Sequence, residues 1–282
     1  MINLRLKINK NLSKWLVAAA VFGGIILGGI YIYSKPAALE VDFLDIGQGD
    51  AALIKLPTGQ LVIIDGGPDN LVLRRLGESL AFCQRRIDYV ILSHYHEDHI
   101  TGLIEILRRY KVRHLVYSVS TPTSPTLDTL LETARESRTE LIALSNQAAV
   151  SYGPGCAMRL LNPDILGIKA DNNNSLVVKI TCAGRRFLFT GDNSTAVEKA
   201  LANSGWDLEA DVLKAAHHGS NSANSELFLA AVHPDVLVIS VGAGNKFGHP
   251  SPRVLERATA RGIEIRRIDQ AGTLRILAGN SP

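Results

Sequence analysis

The sequence predicts an α/β protein, a four-layer αββα sandwich preceded by one transmembrane helix. Three observations carry that expectation. Two strand-rich halves each alternate with amphipathic helical segments. A cluster of histidines and acids, His94-Tyr95-His96-Glu97-Asp98-His99, follows an apolar run, Tyr89 to Leu92, that reads as a buried strand. An uncharged stretch, Trp15 to Tyr33, is about long enough to cross a bilayer as a helix.

The N-terminal pattern sets the expected topology. Arg5, Lys7, Lys10 and Lys14 precede the apolar stretch, and only Lys35 follows it closely. The positive-inside rule then makes residues 1–14 a cytoplasmic basic tail. Residues 15–33 are expected to be an uncleaved anchor, because the apolar core of a cleaved signal is shorter and Pro36-Ala37-Ala38 is a poor cleavage site. Residues 34–38 form a linker, and residues 39–282 form the globular domain outside the cytoplasm. The expectation is a single-pass membrane protein.

Composition limits the partners. The formal net charge of +3 is too small to argue for nucleic acid by itself. Cys83, Cys156 and Cys182 are odd in number and widely spaced, which fits neither a disulfide framework nor a C-x-x-C zinc site. They are expected to be small buried apolar residues.

After the linker, Leu39 to Ile46, Ala51 to Leu56 and Gln60 to Asp65 read as an antiparallel meander separated by Gly- and Pro-containing turns. Leu71 to Arg86 has helical spacing, and the strand before the histidine cluster follows. An amphipathic helix, Ile100 to Lys111, opens directly after His99. A strand at Val112 to Tyr117, a helix at Thr126 to Ser137 and strands at Leu141 to Leu144 and Ala157 to Leu161 complete the first half. The second half repeats the theme. Strands Ser175 to Thr181 and Arg186 to Thr190 pair around Gly184. Then helices Thr195 to Ser204, Ser225 to Ala231 and Pro252 to Arg261 alternate with strands Val212 to Ala216, Val236 to Val241, Glu264 to Ile268 and Thr273 to Leu277.

The chemistry-bearing residues stand at strand ends. A strand that ends in a tight loop aims two alternate histidines, His94 and His96, at one cation, and Asp98 with His99 at a second beside it. Imidazole and carboxylate are the usual ligands of zinc, manganese and iron in such sites. Thr190-Gly191-Asp192 follows a strand, and its aspartate has two oxygens to bridge metals. His217-His218 ends another strand. His218 is the favoured ligand and His217 its support. Ser220 closes that turn. The loop Asn245 to Pro250 brings Lys246 and His249 to the same edge, where His249 suits a general acid and Lys246 a phosphate clamp. Asp65, and Asp45 and Asp50 around Gly47-Gln48-Gly49, are expected to support ligands or form turns rather than bind metal. His114 and His233 are expected to be structural.

In order, the motifs are Leu-Asp-Ile-Gly-Gln-Gly-Asp (44 to 50), Ile-Asp-Gly-Gly (64 to 67), Leu-Ser-His-Tyr-His-Glu-Asp-His (92 to 99), Asn-Asn-Ser-Leu-Val-Val (173 to 178), Thr-Gly-Asp (190 to 192), Leu-Lys-Ala-Ala-His-His-Gly-Ser (213 to 220) and Gly-His-Pro (248 to 250). The sequence resembles the metallo-β-lactamase-fold hydrolases. Within them it is similar to the C-terminal hydrolase domain of the competence protein ComEC and its stand-alone relatives. The resemblance implies a dinuclear site, with His94, His96 and bridging Asp192 on one metal, and Asp98, His99, Asp192 and a histidine of the 217–218 pair on the other. Many superfamily members supply a further histidine between the first loop and the bridging aspartate. Here that region reads Asp171-Asn172-Asn173-Asn174-Ser175.

The expected activity is phosphodiester hydrolysis, with DNA as the substrate, and two divalent cations, zinc or manganese, activating a shared water. Asp98, His249 and Lys246 would be catalytic. Lys214 would neutralise phosphate charge, and Asn174 and Ser175 would hydrogen-bond a phosphate oxygen. Competence or DNA-uptake proteins are the expected partners, and one apolar span cannot form a channel alone. Two rivals stay open: an esterase or lactamase-type hydrolase, for example of choline or lipid phosphate esters, and an accessory DNA-uptake module of weak catalytic power.

Overall fold

The computed structural model describes residues 14–15, 17–24, 38–120, 122–167 and 175–278. The chain divides into two units, residues 1–37 and 38–282. In the first, residues 17–24 are helical and mostly exposed. Among the described residues no helix is long and apolar enough to cross a membrane. The expected anchor therefore finds no support here, and much of it, with the basic tail, lies outside the described residues.

The second unit opens with β1 (Leu39–Phe43), β2 (Ala52–Lys55), β3 (Leu61–Ile64), α1 (Leu71–Ser79), β4 (Arg86–Ile91), α2 (Glu97–Arg109), β5 (Lys111–Ser118), α3 (Pro125–Glu136) and β6 (Glu140–Leu144). It continues with β7 (Gln147–Ser151), β8 (Cys156–Leu161), β9 (Val177–Cys182), β10 (Arg185–Phe189), α4 (Thr195–Asn203), β11 (Val212–Lys214), α5 (Glu226–Val232) and β12 (Val236–Ile239). It closes with α6 (Pro252–Ala260), β13 (Glu264–Arg267), α7 (Ile268–Ala271) and β14 (Leu274–Ala278).

Two mixed sheets result, ordered β14-β1-β2-β3-β4-β5-β6 and β13-β12-β11-β10-β9-β8-β7. Each is antiparallel at one end and parallel at the other. β3, β4, β5 and β6 pair in parallel, as do β10, β11, β12 and β13. The inner faces share one apolar core that includes Phe43, Ile54, Ile91, Val178, Phe187 and Val238. Helices α1 to α3 cover the outer face of the first sheet through Leu76, Leu103 and Leu130. Helices α4 to α6 cover the second through Leu201, Phe228 and Val254. Burying each helix stripe and both strand faces produces the four layers.

Several local expectations change. Helix α2 begins at Glu97, so Asp98 and His99 lie on its first turn, not in the loop before it. Glu97 and Asp98 suit that place because acids favour the positive N-terminal end of a helix. Helix α1 ends at Ser79, short of Arg86. Strand β7 was not expected, since Gln147–Ser151 is weakly apolar; it forms by antiparallel pairing with β8. Cys156 and Cys182 are disulfide-bonded, which corrects the reading of three reduced buried thiols. The β8–β9 register sets these two residues opposite one another. Cys83 is free and exposed.

One close approach positions the site. The Gly66 amide donates to the His99 carbonyl at 2.8 Å, and the Gly102 amide donates to the Gly67 carbonyl at 2.9 Å. A Cβ on Gly102 would lie 1.9 Å from the Gly66 carbonyl oxygen. Helix α2 can therefore sit against the turn after β3 only because both surfaces lack side chains. Gly102→Ala is expected to destabilise the fold by about 1–3 kcal/mol, as overpacking does. An unchanged urea midpoint would contradict this contact.

Candidate metal centre

Five strand ends deliver the polar residues to one place. Asp65 follows β3, Ser93 to His96 follow β4, Asp192 follows β10, His217 and His218 follow β11, and Ser240 follows β12. His94, His96 and Asp192 each offer a ligand atom within 4.8 Å of the others, and so do Asp98, His99 and His218. The two groups adjoin at Asp192. Its carboxylate lies 3.8 Å from His94 Nε2, 3.5 Å from His99 Nε2 and 3.6 Å from His218 Nε2. The first sheet supplies His94 and His99, and the second supplies Asp192 and His218.

The imidazoles are held from behind. Asp65 accepts hydrogen bonds from the Ser93 amide at 2.8 Å, the Ser93 hydroxyl at 2.7 Å and His99 Nδ1–H at 2.9 Å. With its proton on Asp65, the Ser93 oxygen can accept from His94 Nδ1, 3.1 Å away. His218 Nδ1–H donates to the Ser240 carbonyl at 3.0 Å. All three rings thus turn their Nε2 lone pairs toward Asp192, as metal-bound histidines with outer carboxylate or carbonyl partners do. Asp192 is itself fixed by its amide, which donates to Ser175 Oγ at 2.8 Å. Gly191, at φ +50°, makes that turn; a Cβ there would come within 2.5 Å of Ser175.

The chemistry of the donors fits divalent cations. His94 Nε2, His99 Nε2 and Asp192 Oδ1 are buried and have no hydrogen-bond partner. Three orphaned donors at one point would be costly in a site meant to stay apolar or neutral. Burial and the neighbouring His99 charge hold the His94 imidazole well below its ordinary pKa. His99 is also fully buried, yet the Asp192 and Asp65 carboxylates outweigh that burial and hold its pKa well above the ordinary value. For His218 burial is likewise opposed by Asp192 and Asp50, and the pKa rises to about 9. Burial would raise Asp192, but His218 and His99 hold it well below the carboxylate range. A cation bound among these groups takes over the charge that the protons carry.

The remaining expected residues fall in different places. His217 lines the mouth, with Nε2 3.8 Å from Asp192, and its pKa is lowered by burial and by His218. His217 and His218 both have positive φ, 49° and 52°, a strained conformation for residues with a Cβ that is met at functional sites. His249 faces the same cleft. Burial and the His217 and His218 charges lower its pKa. Asp98 lies on the cleft wall, 3.2 Å from His218 Nε2.

Several of the expected support and substrate residues lie away from the cleft. Lys214 is buried and paired with Asp50, so it cannot meet a phosphate in the cleft. Ser175 is fully buried and supports Asp192. Ser220 bonds to Ser222 within its own turn. Lys246 stands outside the cleft, with Nζ 5.4 Å from the Phe247 ring centre. Asn174 lies outside the described residues.

Sequence reading passed over Ser93 and Ser240, which orient the histidines, and Gln48 and Phe247, which line the cleft. Asp50 joins the cluster through Asp192 and His218, closer than a turn residue would be. The serine of Leu-Ser-His was a usable signal for Ser93; Phe247 had none beyond its place beside Gly-His-Pro.

The superfamily model for metallo-beta-lactamases matches residues 44–243, and the chain belongs to that superfamily. It is related to competence proteins. It is 30% identical over 254 residues to ComE operon protein 3 of Bacillus subtilis (strain 168), covering 83% of this chain and 32% of that protein. It is also 30% identical over 261 residues to competence protein ComA of Neisseria gonorrhoeae, covering 90% and 35%. The chain spans about a third of the length of these curated relatives. Among solved structures, the metallo-beta-lactamase fold protein YhfI from Bacillus subtilis has a TM-score of 0.59 at 13% identity, covering 86% of this chain and all of that one. CmlA, a diiron beta-hydroxylase from Streptomyces venezuelae, has a TM-score of 0.57 at 15% identity, over 87% and 55%. Both likenesses are of fold.

Asp65→Asn is expected to weaken zinc or manganese binding roughly 10–100-fold, the usual loss when an outer partner of a metal-bound histidine is changed. Titration calorimetry checks this. Equal affinity in the variant would mean that Asp65 does not orient His94 and His99.

Proposed function

We propose that this chain is a metal-dependent phosphodiesterase that cleaves DNA outside the cytoplasm, held at the membrane by residues 15–33. One observation carries the reading. Donors from both sheets, three of them orphaned, converge beneath an open cleft of about 190 Å³. Kinship with proteins named for competence supports DNA as the substrate and DNA-uptake proteins as partners. The uncharged stretch from Trp15 to Tyr33, with basic residues before it, supports the anchor.

Two divalent cations, zinc or manganese, would supply a water acidic enough to attack phosphorus and positive charge for the phosphate oxygens. His94, His96 and Asp192 would hold one, and Asp98, His99, His218 and Asp192 the other. Asp65, Ser93 and Ser240 keep the rings aimed while this happens. Asp98 is part-exposed on the cleft wall, placed to orient the attacking water. His249 lines the cleft with Asp192 and is the group we assign to hand a proton to the leaving oxygen.

The full chain loaded with manganese or zinc is expected to hydrolyse bis-p-nitrophenyl phosphate and DNA, and to leave nitrocefin and a choline ester unchanged. Asp192→Asn is expected to fall to the level of chelator-treated protein. His249→Ala is expected to lower kcat roughly 10²–10⁴-fold with little change in KM. Turnover of nitrocefin or the ester without any diester cleavage would defeat the phosphodiesterase reading.

A further inference from the structure

The loop after β12 presents an aromatic side chain that the fold does not need. Phe247 is 56% exposed, yet it lines the metal cleft with Gln48, His96, His217 and His249. A single exposed phenylalanine is ordinary, but one in the lining of a polar cleft offers a flat apolar face to whatever binds there.

The loop holds it there. Asn245 Oδ1 accepts from the amides of Phe247 at 3.2 Å and His249 at 3.1 Å. Asn245 Nδ2 donates to the carbonyls of Gly242 at 3.2 Å and His249 at 2.7 Å. One side chain thus ties both ends of the loop and fixes Phe247 between them. Such a loop loses little conformational freedom when a ligand binds.

The rings form a graded path to the metal ligands. Phe247 lies near-parallel to His249, with centroids 6.1 Å apart and planes at 20°. His249 is 5.9 Å from His217, whose Nε2 is 3.8 Å from Asp192. Phe247 therefore stands two ring steps from His217, the ring beside the bridging carboxylate. Lys246 places its ammonium over the face of the same ring, 5.4 Å from the centroid. A base that displaces it would stack on the ring and leave the ammonium to meet the neighbouring phosphate. A base within a duplex is stacked and paired, so its face is not free for Phe247.

We propose that Phe247 and Lys246, fixed by Asn245, form a nucleotide clamp at the cleft mouth. Phe247 stacks on an unpaired base next to the scissile phosphate, and Lys246 pairs with the adjoining phosphate. This rests on the phosphodiesterase reading and deepens it, because it makes single-stranded DNA or an unwound end the bound form.

The test uses the full chain, both metal-loaded and chelator-treated, and a non-cleavable phosphorothioate oligonucleotide carrying 2-aminopurine. Stacking quenches the probe. Strong quenching is expected with the single strand and little with the matching duplex. Phe247→Ala should weaken single-strand binding roughly 5–150-fold, the range for loss of one stacked base, and abolish the quench. Phe247→Trp should restore both. Lys246→Ala should lower the slope of log affinity against log salt by about 0.7, one single-strand phosphate contact. Phe82→Ala, at another exposed aromatic, should change nothing. Parental binding and quenching in Phe247→Ala, or no quench in either metal state, would overturn the clamp while leaving diester cleavage standing. Absence of bis-p-nitrophenyl phosphate cleavage with the quench intact would overturn the phosphodiesterase reading instead.

Discussion

A carboxylate buried between two sheets, with one oxygen lacking any partner, is expensive unless positive charge meets it. Asp192 is such a group, at 3% exposure. The sandwich is arranged around that constraint. Strand β10 and the Gly191 turn bring Asp192 to the sheet edge, and Ser175 holds its backbone. Helix α2 and the turn after β4 bring His99 and His94 to it from the other sheet. His218 arrives on a strained turn after β11. Removing any one of these approaches leaves the others as charges facing one another without purpose.

Rigidity behind the ligands contrasts with openness in front. Asp65, Ser93 and Ser240 are buried and hydrogen-bonded. The Asp50–Lys214 pair adds a further buried layer beside His218. Toward solvent the lining changes to His217, His249, Gln48 and Phe247, which have space to meet a ligand. A fixed back wall and a polar, partly aromatic mouth suit a site that holds reactive groups still while substrates exchange.

Much of this could be read in the sequence, and the reasons differ by residue. His94, His96, Asp98 and His99 lie within one short segment after an apolar strand, so local spacing announces them. Asp192 and His218 each follow a strand and adjoin a glycine, which is also a local signal. The presence of two sheets was legible as two repeating halves, but their strand order was not: Ala157 to Leu161, read with the first half, pairs with β9 in the second sheet, and β14 returns to β1 through pairing between Leu39 and Ala278. The same distance hid Lys214 beside Asp50, and it turned an expected phosphate ligand into a buried ion pair. Cys156 and Cys182 look unrelated along the chain because only the β8–β9 register brings them together. The Leu-Ser-His motif marked Ser93 but not its role. A serine becomes an orienting group only when its hydroxyl donates to Asp65, and that requires both strand ends to be in place.

The convergence of both sheets on paired cations is tested most directly by anomalous diffraction from crystals soaked in manganese or zinc. The account predicts two peaks, one on each side of the Asp192 carboxylate. His94 and His96 should ligate one, and His99 and His218 the other. A single peak held by only one sheet's residues, or metal bound away from Asp192, would contradict it.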